Sequence, residues 1–154
     1  MVLLKLDAWT AHWDFAYGVD CLRDLAARLH HPLLAINCYC KDTGASAYPP
    51  SRLLERGGVR VGIILIAATI IDKTMAKHFS EGLRFTMGNE ELPSQISALR
   101  AQGAELIVVL SQLGLPQDMK LVSEVSSIDV LVSGHTHNRL YEPLRVNGAL
   151  VIQS

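Results

Sequence analysis

Asp129-Val130-Leu131-Val132-Ser133-Gly134-His135-Thr136-His137 decides how this chain is read. An apolar run stops at a glycine, and two histidines follow, two positions apart. A buried strand ending in Gly-His-x-His presents imidazoles at the carboxyl edge of a sheet, where open α/β sheets keep their sites. Histidine is the commonest metal ligand among side chains. The question for the rest of the chain is which further ligands it brings to that edge.

Outward from this stretch, strands and helices alternate. Downstream, Asn147-Gly148 is a tight-turn signal between Leu144–Val146 and Ala149–Ile152 and predicts a closing hairpin. Upstream, Pro116 opens a helix running through Val125, and Glu105 to Ser111 is a buried strand. Leu92, Ile96 and Leu99 recur at helical spacing, with Pro93 in the first turn and Gly103 as the stop. Val59 to Ala68, rich in Ile and Val, reads as a central strand, and Gly57-Gly58 joins it to a strand edge at Leu53–Glu55. Thr69 to Asn89 is a connection long enough to be functional or partly structured. Leu33 to Cys38 reads as another buried strand. Before it, Gly18 opens a helix carrying Leu22, Leu25, Ala26 and Leu29 that Pro32 closes, and Thr10 to Gly18 reads as a loop. The rhythm predicts an α/β fold: parallel strands with right-handed crossovers, antiparallel additions at the flanks, and helices on the faces of a mixed sheet.

Bulk properties exclude several classes. A chain of 154 residues has room for one domain with a real core, and 49% apolar against 19% charged residues is globular composition. A net charge of −1 offers no nucleic-acid footprint and no polybasic membrane patch. Cys21, Cys38 and Cys40 are odd in number and fit no zinc spacing, so reduced thiols are expected. The start is not a signal peptide, and the apolar run Val59 to Ile71 is shorter than the ~20 residues that span a bilayer. As written the chain reads as soluble and cytoplasmic, with a periplasmic or exported location left open for a longer parent. Apolar segments at both ends, Met1–Leu6 and Ala149–Ser154, are expected of a fragment. Oligomeric state is not encoded in any readable pattern.

Three places offer polar groups at comparable strand or loop ends: Ser111-Gln112-Leu113-Gly114, the Gly134–Asn138 segment, and an early loop with His12, Asp14 and Tyr17. Ligands drawn from successive strand ends converge in space although they lie far apart in sequence. A hydrolytic metal cluster needs several such nitrogen and oxygen ligands, and two metals need a carboxylate between them. The remaining candidates read as ordinary. His30-His31 is expected as an exposed pair at a helix C-terminus, His78 is expected in solvent, and Asn89 with Glu90-Glu91 reads as helix-start chemistry.

Three motifs in order carry a family resemblance: Ala11-His12-Trp13-Asp14-Phe15-Ala16-Tyr17-Gly18, Val108-Val109-Leu110-Ser111-Gln112-Leu113-Gly114, and Gly134-His135-Thr136-His137 with its preceding strand. The chain resembles the calcineurin-like metallophosphoesterases of the 5′-nucleotidase and thiosulfohydrolase type over nearly its whole length. The resemblance implies that residues 1–154 form a single partial domain, part of an α/β/β/α sandwich. The family's N-terminal Asp-x-His and Gly-Asp motifs and its C-terminal substrate domain have no counterpart in it. It also implies two divalent metal ions, Mn or Zn, that activate a hydroxide to hydrolyse a nucleotide or related small phosphoester. By position, His135 falls on a ligand of the second metal and His137 on a ligand of the first. His12 falls on the family's ligand asparagine, and Asp14 falls on the glutamate, as a candidate catalytic carboxylate or a loop cap. Trp13 stands where the family has its catalytic histidine, and an indole has no titratable nitrogen. Gln112 stands where a Ser-His-x-Gly motif places a metal-binding histidine and offers only a neutral amide oxygen. Two further readings go with these departures: a non-catalytic, degenerate module, and a sulfur-compound hydrolase, the latter implied by similarity to the family's His-Trp-Glu-Phe variant.

Overall fold

A computed structural model describes residues 5–153. The apolar openings Met1–Leu4 and the final Ser154 lie outside the described residues. The chain runs through a 3-10 turn (Trp13–Tyr17), α1 (Val19–Ala27), β1 (Cys38–Cys40), β2 (Ser51–Arg56), β3 (Val59–Ile66) and the short α2 (Ile71–Thr74). A second 3-10 turn (Lys77–Ser80), β4 (Leu83–Phe85), α3 (Leu92–Ala101) and β5 (Leu106–Ser111) follow, then α4 (Leu115–Glu124), β6 (Val130–Ser133), β7 (Leu144–Val146) and β8 (Ala149–Ile152).

Six strands form one sheet in the order β2-β3-β5-β6-β8-β7, and β1 pairs with β4 in a separate two-stranded ribbon. β3, β5, β6 and β8 are parallel, while β2 and β7 pair antiparallel at the two edges. This is the mixed sheet the alternating pattern predicts. Its register aligns the carboxyl ends of three strands, with Ile66 opposite Ser111 and Ser111 opposite Ser133.

Strand parity divides the aliphatic residues between two faces. Ile64, Ile66, Ile107, Val109, Leu131, Ala149 and Val151 are buried beneath α3 and α4, against Leu92, Ile96, Leu99, Leu121 and Val122. Gly62 lets α3 approach: a Cβ there would lie 2.9 Å from Ile107 Cδ1 and 3.0 Å from Leu99 Cδ1. The opposite face carries Ile63, Val108, Leu110, Val130, Val132 and Leu150, all only half-buried, and Ile152, which is exposed. No helix among the described residues is long and apolar enough to cross a membrane.

A second, smaller core gathers Phe15, Leu22, Leu33, Ala35, Cys38, Ala67, Ile71 and Leu83 around the early loop and the ribbon. Asn37 joins the two. Fully buried, it donates through Nδ2 to the carbonyls of Ala67 and Thr86 at 2.9 Å each, and its Oδ1 accepts from the Ala67 N–H at 2.8 Å.

Four expectations need correction. The segment Leu33–Asn37 is buried but is not a ladder strand: it turns at Ile36-Asn37, and its N–H groups are shared among unrelated partners. Leu34 donates to Trp9 O, Ala35 to Pro49 O and Ile36 to Leu65 O. Regular pairing begins only at Cys38, with β4 as partner, a strand too short to show periodicity inside the Thr69–Asn89 connection. The Thr10–Gly18 loop contains a 3-10 turn, and α1 ends at Ala27, before Leu29 and Pro32. His31 is buried at 3% exposure with its Nε2 unpartnered, so it is not half of an exposed pair with His30. His78 is exposed as expected, and all three cysteines are free.

Replacing Asn37 with alanine strips three buried backbone groups of their partner at once. Asn37→Ala should lower stability by about 3–5 kcal/mol, read from the urea midpoint, whereas an exposed control such as Asn89→Ala should move it by less than about 0.5 kcal/mol.

Candidate metal centre

The centre is assembled where β3, β5 and β6 end. Gln112 leaves β5 with its N–H donated to Ile66 O at 3.0 Å, and Gly134 leaves β6 with its N–H donated to Ser111 O at 2.7 Å. The two loops touch. A Cβ at residue 134 would stand 2.8 Å from Gln112 Nε2 and 3.1 Å from Ser111 O, so a larger residue would push the Gln112 amide aside and press on the end of β5.

Beyond Gly134, His135 and His137 adopt left-handed backbone conformations, with φ of 71° and 52°. Such residues cost roughly 1–3 kcal/mol each and persist where surrounding contacts enforce them. The contacts are visible. Gln153, buried just past β8, donates through Nε2 to Gly134 O at 3.1 Å and to Thr136 Oγ1 at 3.3 Å. Thr136 Oγ1 also accepts the Leu115 N–H at the start of α4, at 3.0 Å.

The early loop meets this edge from the side of β3, where the Ala68 N–H reaches Ala11 O at 3.5 Å. It delivers His12 against His135, their rings edge to face with centroids 4.7 Å apart. His12 Nε2 and His135 Nδ1 are both buried without a hydrogen-bond partner. Burial, then the neighbouring His135, pushes the His12 pKa below the ordinary histidine value, against the opposing pull of Asp14 and with a smaller push from His137. His12 is therefore held as a neutral imidazole, the form that ligates metal.

The other sequence-derived candidates fall around this pair. His137 is exposed on the far side of Thr136, close enough for its charge to act on His12. Asp14 turns its carboxylate back on its own loop, where Oδ2 accepts the His12 N–H at 3.3 Å; this is the capping alternative. Trp13 is 62% exposed and Tyr17 65%, both directed to solvent. Gln112 lines a groove of about 260 Å³ with His135, Thr136, Lys73 and Gln117. A larger hollow of about 600 Å³, between the start of α1, the end of β1 and the second 3-10 turn, contains none of the candidate ligands. Among the described residues no three His, Cys, Asp or Glu side chains converge as a complete ligand set. The donor chemistry suits one side of a metal site: two imidazoles, each with a buried nitrogen free of a hydrogen-bond partner, and no convergent carboxylate among the described residues.

Two residues at this edge escaped sequence reading. Gln153 sits one position beyond a strand with nothing in the pattern to mark it. Asp118 was legible: it falls on the buried stripe of α4, three residues after Leu115 and three before Leu121. It is fully buried, and its Oδ2 accepts the Ser133 hydroxyl at 2.6 Å. Burial pushes its carboxyl up to about 6, partly offset by the hydroxyls of Ser111 and Ser133.

The fold is that of the calcineurin-like phosphoesterase domain found in metallophosphoesterase-family hydrolases. Within that class the chain is similar in sequence to 5′-nucleotidases. It is 28% identical over 144 residues to the snake venom 5′-nucleotidase of Crotalus adamanteus, covering 90% of this chain and 24% of that protein. It superposes on the Thermus thermophilus sulfate thiohydrolase SoxB with a TM-score of 0.92 at 25% identity, covering 98% of this chain and 28% of the other. The calcineurin-like phosphoesterase YfkN from Bacillus subtilis aligns with a TM-score of 0.84 at 22% identity, over 97% of this chain and 54% of that one. The chain thus spans about a quarter of the length of the venom nucleotidase it matches. No protein-family model matches it.

Asp118 gives the centre a pH signature. Its folded carboxyl titrates near 6 and its unfolded one at the ordinary 3.8, so the folded chain holds the proton longer, and stability falls as pH rises through that window. Asp118→Asn should remove that slope and raise stability at pH 7 by on the order of 3 kcal/mol relative to the parent. Denaturant midpoints of both proteins between pH 4 and pH 7.5 measure it, and parallel curves would contradict it.

Proposed function

We propose that this chain supplies part of the metal site of a metal-dependent phosphoester hydrolase of the 5′-nucleotidase type, acting on a nucleotide or related small phosphoester. The supporting observation is the pair of buried, unpartnered imidazole nitrogens of His12 and His135, set edge to face at the carboxyl ends of parallel strands. In this reading His12, His135 and His137 hold divalent ions, Mn or Zn. Such ions supply a nucleophile near neutral pH and offset charge on the phosphoryl oxygens. Gln112 is a weak fourth donor. Asp14 orients the His12 loop through the His12 N–H and does not move a proton. Trp13 carries no titratable nitrogen, so protonation of the leaving group falls to a group other than residue 13. With two imidazoles and no convergent carboxylate among the described residues, the chain by itself binds metal weakly and turns over little substrate.

A second reading, a sulfur-compound hydrolase built on the same centre, is favoured by the His12-Trp13-Asp14-Phe15 loop and by the 0.92 TM-score to the sulfate thiohydrolase. Substrate separates the two: phosphate release from AMP or bis-p-nitrophenyl phosphate against sulfate release from a cysteine S-sulfonate.

Manganese titration followed by calorimetry tests the site directly. The expected result is weak binding in the parent, lost in His135→Ala and tightened about tenfold or more in Gln112→His, where an imidazole replaces the amide. Absence of binding in the parent together with an unchanged Gln112→His titration would rule out a metal site at these strand ends. Two tightly held ions with turnover in the parent would show instead that this chain needs no further ligands.

A further inference from the structure

Asp118 is a carboxylate with no route to substrate. It lies fully buried on α4, behind the strand ends and not between them. Burial disfavours its charged form, so on stability alone an apolar residue would serve α4 better at neutral pH. What it touches explains its presence. Ser133 Oγ donates to its Oδ2 at 2.6 Å, its Oδ1 is buried without a hydrogen-bond partner, and the Ser111 hydroxyl lies near enough to help hold the carboxyl down. Ser111 and Ser133 face each other across the β5–β6 ladder and are each the last strand residue before a candidate ligand loop. Ser111 Oγ in turn accepts the Leu113 N–H at 3.2 Å, so the Gln112 turn is tied to the same cluster. Immediately beyond Ser133 the backbone must pass through Gly134 into the two left-handed histidines.

We infer that Asp118 is a positioning residue: accepting from Ser133 and lying beside Ser111, it fixes the two loops that carry Gln112 and His135-Thr136-His137 at one spacing. This rests on the metal-site reading above only for its functional consequence; the positioning itself is a property of the metal-free chain. Positioning partners of this kind are worth about ten- to a hundred-fold in metal affinity.

The test compares Asp118→Leu, Asp118→Asn and Ser133→Ala with the parent at pH 7. Three readouts are taken: thermal midpoint, histidine ring Cε1–H resonances without metal, and manganese affinity. Leucine should leave the midpoint equal or higher yet shift the His135 resonance toward those of exposed His30 and His78, and weaken manganese ten- to a hundred-fold. Asparagine keeps an oxygen for Ser133 and should raise the midpoint while staying near the parent in ring resonances and manganese affinity. Ser133→Ala removes the bond while leaving the carboxylate, and it should reproduce the leucine spectrum even where Asp118→Leu fails to fold. An unchanged His135 resonance in Asp118→Leu or Ser133→Ala overturns the inference. Failure of the parent to take up manganese would overturn the proposed function, and the ring resonances would still decide the role of Asp118.

Discussion

The parallel register that sets Ile66, Ser111 and Ser133 side by side carries everything built at the centre. A ladder fixes spacing along the strands to within one residue, because a slip of one would turn each side chain to the other face. Here the slip is forbidden by aliphatic parity: Ile64, Val109 and Leu131 must all stay under α3 and α4. The hydrophobic effect therefore sets the chemistry indirectly. It places the strand ends level, and level ends bring a glycine against a glutamine and a loop histidine against a strand-end histidine.

Energy is spent at this edge in several small pieces. Two histidines hold left-handed backbone, a buried carboxylate is kept where an apolar residue would be cheaper, and two imidazole nitrogens lack partners. Gln153 and Thr136 return part of that cost as hydrogen bonds. Costs gathered in one place, with the rest of the sheet regular, are what separates a site from an ordinary strand end.

Much of the fold was legible because its signals are periodic. The Ile- and Val-rich run of β3, the Leu92-Ile96-Leu99 stripe, and the Gly57-Gly58 and Asn147-Gly148 turns each specify an element without help from distant residues. The ribbon of β1 and β4 was not legible, since three-residue strands have no period and their partners are set by tertiary contact. His31 shows the same limit: it is buried although its place after a helix predicts exposure. At the centre, His12, His135 and His137 stood out by motif, whereas the orientation of the Asp14 carboxylate toward its own loop follows from the 3-10 turn, which composition does not announce.

The half-covered face of the sheet has a consequence of its own. Ile63, Val108, Leu110, Val130, Val132 and Leu150 form an aliphatic surface running across four parallel strands, with water on part of every side chain. A layer laid on it lies about 10 Å away if it is a second sheet, and the strands beneath it end at the ledge where His12 and His135 meet. The aliphatic surface and the two imidazoles therefore share one edge of the sheet, and a layer packed on the first would end beside the second.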